Sequence, residues 1–185
     1  AVATDSTGNT FVGWVVWGSK YDAYLQRISS EGEFVWAGPV PVNSAPGTAD
    51  WDPIDVIVDE ADKAIVVWGD SRNDNLDIYA QKFDSSGSRV WTSDVLVSQE
   101  SDDSDQYRPS TSIADDGSAY VAWEDERGDR YDVYAQRLSS GGVRLWSDDL
   151  RVNDSTWEYR SGLDVVVDDM RNALVTWEQG RYGVD

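Results

Sequence analysis

A repeat of 55 residues limits how this chain can fold. Trp36, Trp91 and Trp146 follow one another at steps of 55 residues. Three further columns keep the same step: Tyr24/Tyr79/Tyr134, Gln26/Gln81/Gln136 and Gly32/Gly87/Gly142. Because several independent columns in one register are typical of a supersecondary unit stacked on copies of itself, the repeat indicates a modular array.

Within each repeat, apolar residues alternate with polar ones. In the second copy, segments 55–60, 63–68, 76–84 and 88–97 are rich in Val, Ile, Tyr or Trp, and Asp, Gly, Ser and Asn separate them. This period of two predicts four strands, here labelled A to D, joined by tight hairpins. No segment has the periodicity of an amphipathic helix. Four antiparallel strands in about 40–50 residues are typical of a β-propeller blade, whereas an immunoglobulin-like domain needs about 100 residues.

The predicted fold class is therefore all-β, a β-propeller-type array of three four-stranded antiparallel blades and a hairpin of a fourth. The blades are expected at about 1–42, 53–97 and 109–152, and a partial blade over 163–185 begins with a hairpin at 163–177. Residues 1–185 would form a single propeller segment. Since a closed propeller needs about 4–8 blades, we expect further blades from the same chain or from other chains to close the ring.

Composition excludes several classes of protein. The 185 residues are 40% hydrophobic and include 10 Trp and 9 Tyr, which is enough apolar mass for a folded core. The formal charge of −20 repels phosphate and anionic lipid, and no apolar run approaches the length of about 20 residues that spans a membrane. We therefore expect no nucleic-acid partner and no membrane insertion.

The chain lacks both Cys and His, and its Asp-rich turns need no metal to explain them. Without these residues there can be no Cys nucleophile, no Ser-His-Asp triad, no disulfide and no zinc site of the usual kind. Asp favours turns because its carboxylate accepts hydrogen bonds from nearby backbone amides. No cofactor is predicted. Calcium stays open as an alternative, because Asp-rich loops supply oxygen ligands, but no segment matches the twelve-residue calcium loop.

The repeat motif resembles a family of secreted bacterial multi-blade β-propeller repeats. The residues that carry the resemblance are Asp77–Phe83 and Asp132–Leu138, each followed by a Gly-x-x-x-Trp stretch. Asp115-Asp116-Gly117, with Tyr120 after it, is also similar to the Asp-box turn of sialidases, although Ile113 stands where that motif has Ser. The resemblance implies a propeller outside the cell or on its surface. It implies no activity, because propellers include enzymes, lectins and scaffolds.

Candidate ligand-binding residues are expected in the B–C and D–A connections, which lie on one face because antiparallel strands alternate in direction. They are Trp17, Trp51, Asp52, Asp70, Arg72, Tyr107, Asp125, Arg127, Trp157 and Tyr159. Aromatic faces beside Asp and Arg suit a sugar ring and its hydroxyls. Two structural alternatives stay open: the aromatic residues plug grooves between blades, and the Asp-x-Arg pairs brace the B–C loops. The strand tryptophans, Trp36, Trp68, Trp91, Trp123, Trp146 and Trp177, are expected in the inter-blade core.

The sequence favours an extracellular, non-enzymatic recognition module that binds glycan or protein through this face. One alternative is a structural or adhesive surface scaffold or assembly subunit. Another is a carboxylate-dependent glycoside hydrolase similar to a sialidase propeller, which needs two carboxylates roughly 5–9.5 Å apart. No catalytic residue is assigned, because the repeats are so alike that no acidic residue stands out.

Overall fold

The computed structural model describes residues 1–99, 104–127, 131–154 and 159–180, with the backbone alone at 159–161 and 179–180. The first sheet contains β1 (Val2–Thr4), β2 (Thr10–Trp17), β3 (Tyr21–Ile28) and β4 (Val40–Pro41). The second contains β5 (Asp55–Val58), β6 (Ala64–Asp70), β7 (Asp77–Phe83) and β8 (Val95–Leu96). The third contains β9 (Gln106–Ile113), β10 (Ala119–Asp125), β11 (Asp132–Leu138) and β12 (Leu150–Arg151). A two-stranded sheet of β13 (Tyr159–Val167) and β14 (Ala173–Gly180) follows.

Each sheet is antiparallel, with its strands side by side in chain order. Three four-stranded blades and a hairpin confirm the predicted fold class. The described part of the chain contains no helix, and hence no helical membrane span. The hairpin is longer than the expected 163–177, since its first strand begins at Tyr159 and its second ends at Gly180.

Alternating side chains build the core between neighbouring blades. On β6, Val66 and Trp68 pack towards the first blade, whereas Ile65 and Val67 pack towards the third. All four are fully buried. A strand inside a propeller is covered on both faces, so its sequence is a continuous apolar run, and successive side chains serve opposite interfaces.

The outer strand of each blade is much shorter than predicted. In the second blade an isolated bridge joins Phe83 to Arg89, a bent segment follows, and pairing resumes only at Val95–Leu96. Trp91 lies in this bent segment, so the prediction that Trp36, Trp91 and Trp146 sit in strands is wrong. The bend has a physical reason, because it turns the indole towards the next blade.

The indole and a glycine turn form the joint between blades. Trp36 Nε1 donates to the carbonyl of Ser85 at 3.0 Å, and Trp91 Nε1 donates to that of Ser140 at 3.1 Å. Gly87, in the same turn as Ser85, adopts φ +84°, and a Cβ there would lie 3.2 Å from the Trp36 ring. A turn that needs positive φ and close approach favours glycine, which explains why Trp and Gly share the 55-residue step.

The inner strands of successive blades contact one another around the centre of the array, where β5 meets β9 and β9 meets β13. The amide of Thr111 donates to Asp55 Oδ2 at 2.8 Å, and the amide of Val165 donates to Ser110 Oγ at 3.2 Å. Asp55 and Ser110 occupy the same place in their blades. These side chains satisfy backbone groups at the inner edge, so they tie each blade to the next.

Candidate functional site

A β-bulge in the third blade introduces an unusual residue at the inner edge. Ala122 pairs with Ser110, but Glu124 pairs with Tyr107, so Arg108 and Pro109 together oppose one residue of β10. Arg108 adopts φ +50°. The fourth sheet has a matching bulge, and glycine takes the left-handed position there, Gly162 at φ +64°. A left-handed arginine costs about 1–2 kcal/mol, and strain of this kind concentrates at functional sites.

Arg108 links two buried carboxylates. Its Nη1 lies 3.0 Å from Glu124 Oε2, and its backbone amide donates to Asp52 Oδ2 at 3.3 Å. Glu124 is 1% exposed and Asp52 is 2% exposed, whereas the side chain of Arg108 is 39% exposed. Among the described residues, Glu124 Oε1 is a buried oxygen without a hydrogen-bond partner. A buried acid with an unsatisfied oxygen lowers stability, so a structural role alone does not account for it.

Both carboxyl groups hold their protons more tightly than usual. Burial raises the pKa of Glu124, and the charge of Asp52 adds to this, while Arg108 opposes it. Burial also raises the pKa of Asp52, with a further contribution from Asp50 and a partial offset from Arg108. Carboxyl groups with raised pKa beside a cleft are the usual proton donors of enzymes that act near neutral pH.

An open groove of about 330 Å³ lies beside Arg108, whereas the buried side chains of Glu124 and Asp52 do not line it. Its walls are the starts of three inner strands, represented by Pro53–Asp55, Arg108–Ser110 and Gly162–Asp164. The hydroxyl of Ser110 donates to Asp164 Oδ1 at 3.2 Å. Burial raises the pKa of Asp55, although amide donors from Thr111 and Val56 oppose the rise. The groove thus offers carboxylates, a hydroxyl and a guanidinium to a polar ligand.

The two Asp-x-Arg pairs form internal networks. Asp70 accepts from Trp68 Nε1 at 2.9 Å and from Arg72 Nε at 2.8 Å and Nη2 at 2.6 Å. Arg72 also reaches Asp94 at 3.0 Å, and its guanidinium lies over the Tyr79 ring at 4.1 Å. Burial alone would lower the pKa of Arg72, but Asp70 and Asp94 outweigh it and raise that pKa.

The third blade repeats this network around a different set of residues. They are Trp123, Asp125, Arg127, Tyr134 and Asp149. Asp70 and Asp125 are fully buried, so the geometry is that of a loop brace. A contact of either pair with a ligand stays a prediction.

The predicted aromatic residues lie in different environments in the structure. Trp51 is 64% exposed beside Asp52, and Trp17 is 75% exposed at the end of β2. Tyr107 belongs to β9 and not to a loop, because the bulge lets the strand begin at Gln106. Tyr159 begins β13. Trp157 lies outside the described residues.

Sequence reasoning included Asp52 but missed Glu124 and Arg108 as site residues. The 55-residue step places Glu124 where the second blade has Gly69, and Arg108 where it has Pro53. These departures from the repeat were the signal that could have identified the site. No group of three or more acidic side chains within the described ranges is arranged to hold a metal ion. Calcium binding stays untested.

The chain matches no family model and no curated protein sequence. It is similar in structure to the endo-arabinase of Bacteroides thetaiotaomicron VPI-5482, with a TM-score of 0.58 and 13% identity over 95% of this chain and 68% of that one. It is also similar to the alpha-L-arabinanase of Penicillium chrysogenum, determined with arabinobiose, with a TM-score of 0.62 and 14% identity over 94% of this chain and 55% of that one. The chain thus spans between about half and two thirds of these enzymes.

At such identities the likeness supports the β-propeller fold alone. Both similar propellers are nevertheless enzymes that act on glycans, as their names state. This finding contradicts the predicted non-enzymatic recognition module. The glycoside hydrolase alternative fits the comparison better.

Proposed function

We propose that this propeller is a carboxylate-dependent glycoside hydrolase whose reaction takes place at the inner end of the third blade. One observation carries the proposal: Glu124 is a buried acid with a raised pKa and with one oxygen that has no hydrogen-bond partner among the described residues, and Arg108 joins it to a second carboxylate, Asp52. Hydrolysis of a glycosidic bond needs two carboxyl groups in different protonation states.

The environment of each residue suggests its role. Glu124 keeps its proton and donates it from Oε1 to the leaving oxygen. Burial raises the pKa of Asp52 as well, but the charge and the backbone amide of Arg108 oppose that rise, and we assign Asp52 the role of the ionised partner. The side chain of Arg108 is the exposed member of the trio and lines the groove. A sugar in the groove would meet this guanidinium, which lies 3.0 Å from Glu124 Oε2.

The substrate class we favour is a neutral glycan. A chain with formal charge −20 repels polyanions, whereas carboxylates and a guanidinium accept and donate hydrogen bonds to sugar hydroxyls. Arabinan is the first polysaccharide to test, because the two similar propellers are an endo-arabinase and an alpha-L-arabinanase, the latter determined with arabinobiose.

The test is hydrolysis of a panel of neutral polysaccharides, read as released reducing ends. Glu124→Gln and Asp52→Asn should each reduce kcat by about 10²–10⁴-fold, the usual contribution of general acid–base catalysis. Glu60→Gln is the control, because it makes the same chemical change at an exposed turn between β5 and β6. Equal activity of Glu124→Gln and the control, or no hydrolysis of any glycan by the unmodified chain, would refute the assignment.

We also propose that the protein acts outside the cell or at its surface, which rests on the resemblance of its repeat motif to secreted propeller repeats. A second proposal is that further blades pack against its outermost sheets. In support of the second point, Val166 and Leu174 on the last hairpin are exposed, whereas Ile65 at the place of Leu174 is fully buried. Gly32 has no atom within 4 Å of an added Cβ, while its counterpart Gly87 touches Trp36. Analytical ultracentrifugation tests this packing, and a stable monomer whose apolar faces bind no hydrophobic dye would contradict it.

A further inference from the structure

One tyrosine stands next to Glu124, and a second tyrosine contacts the first. Tyr107 pairs directly with Glu124 across β9 and β10, so the two side chains lie on the same face of the sheet. The ring of Tyr131 lies 5.8 Å from that of Tyr107, at an angle of 58°. The second blade has Asp52 and Leu76 at the corresponding positions, so it lacks this aromatic pair.

The hydroxyl groups of both rings are fixed by carboxylates. Tyr107 donates to Asp105 Oδ2 at 3.0 Å, and Tyr131 hydrogen bonds to Glu126. Asp105 in turn accepts the amide of Leu76 at 2.7 Å, which ties it to the second blade. The hydrogen bond to Glu126, followed by burial, raises the pKa of Tyr131 to about 12, and burial together with Asp105 raises that of Tyr107. Both phenols therefore stay neutral, and both rings are held in one orientation.

Both tyrosines are half-buried, so part of each residue stays accessible to solvent. An accessible aromatic surface with fixed orientation costs little conformational entropy when a ligand packs on it, and sugar rings present apolar C–H groups that suit such a surface. Asp105 and Glu126 lie beside the rings as acceptors for sugar hydroxyls and as charges that repel an anionic sugar.

We propose that Tyr107 and Tyr131 form a platform for a neutral sugar ring adjacent to the ring whose bond is cleaved at Glu124. The inference rests on the proposed function and extends it to a second position along the glycan chain. These are specificity residues, and they take no part in the chemical step.

The test compares substrates of increasing length. Neutral arabino-oligosaccharides of two to six units are the probe, and Tyr131→Leu is the main variant, because Leu76 fills this position in the second blade. Tyr21→Leu is the matched control, since Tyr21 stands at the same position of the first blade. Loss of one stacking surface should raise KM for the longer substrates by about 2- to 12-fold. The kcat should change little, and the control should behave as the unmodified chain.

Two further measurements keep the platform separate from hydrolysis. Tyr107→Phe retains the ring and removes the bond to Asp105, so it should raise KM less than Tyr131→Leu. Calorimetric titration with the same oligosaccharides measures binding without turnover. If the unmodified chain binds them but hydrolyses none, the proposed function fails. Weaker binding by Tyr131→Leu would still support the platform in that case. An equal KM for Tyr131→Leu and Tyr21→Leu at every length, or no binding of any oligosaccharide, would overturn the platform.

Discussion

Replacement of Arg72 by methionine should destabilise the fold strongly, because it leaves Asp70 as a buried charge. Asp70 is fully buried and receives two side-chain hydrogen bonds from Arg72, so Trp68 Nε1 and the backbone amide of residue 72 would be its remaining donors. Removal of one partner from a buried ion pair costs about 3–5 kcal/mol. Loss of the cation–π contact with Tyr79 adds about 0.5–1 kcal/mol. Methionine keeps most of the aliphatic volume, so a cavity contributes little.

The side chain of Arg72 is 18% exposed, which lets some water reach the site and favours the lower part of the range. We therefore expect a loss of about 3–4 kcal/mol in the free energy of unfolding, measured by urea denaturation. Arg171→Met is the matched control, because the pair between Arg171 and Asp115 lies in solvent and its loss should not be measurable. The double variant Asp70→Asn/Arg72→Met should recover part of the loss, since the unpaired charge of Asp70 is gone and the buried Asp94 keeps its ion pair with Arg89. A change below about 1 kcal/mol for Arg72→Met would refute the brace.

Three further predictions follow from the geometry. Arg108→Gly should be more stable than Arg108→Ala by about 0.5–1 kcal/mol, because glycine adopts φ +50° without the steric strain that alanine has there. The greater conformational freedom of glycine in the unfolded chain offsets part of this stabilisation. Equal urea midpoints for the two variants would contradict the positive φ at residue 108. Gly87→Ala should lower the thermal midpoint more than Gly32→Ala, because both have φ +84° but only Gly87 lies against Trp36, and equal shifts would argue against the joint between blades. The pKa of Glu124 is raised in the folded state above the ordinary value of 4.5, so the folded protein binds this proton more tightly than the unfolded chain does. This proton stabilises the fold at low pH, and the stabilisation should be lost as pH rises through the folded pKa. Glu124→Gln should remove that decline in thermal midpoint, and a decline of unchanged size in the variant would assign it to another group.

The blades could be predicted from the sequence because three independent patterns indicated the same unit. Alternating apolar residues, Asp-, Gly- and Ser-rich turns and the 55-residue step all indicated four-stranded units, and the inner three strands of each blade follow them. The outer strand was overestimated, because Val90 and Trp91 have high β-propensity, whereas the actual conformation depends on a contact between Trp91 and the next blade. Such a tertiary contact leaves no mark in the local pattern.

The candidate site was harder to predict for a related reason. Asp52 was identified as an acid beside a loop tryptophan. The bulge that brings Arg108 to Glu124 is a change of register between two strands, and no residue type in the sequence predicts such a change. Glu124 follows Trp123 in an otherwise ordinary strand. The similarity among blades also favoured a non-enzymatic module, because the residues that the repeats share include no unique pair of acids. The acid of the candidate site, Glu124, lies at a position where the third blade differs from the second.

The joint between blades has a consequence for how such a chain can change in length. Each 55-residue unit carries an indole that reaches forward and a Ser-x-Gly turn that receives the indole of the preceding unit. Duplication of one unit within a gene therefore adds both halves of a joint in a single event, and the new blade fits its neighbours without any compensating substitution. Selection can then alter one copy, as at Arg108 and Glu124, while the other copies keep the joints between blades.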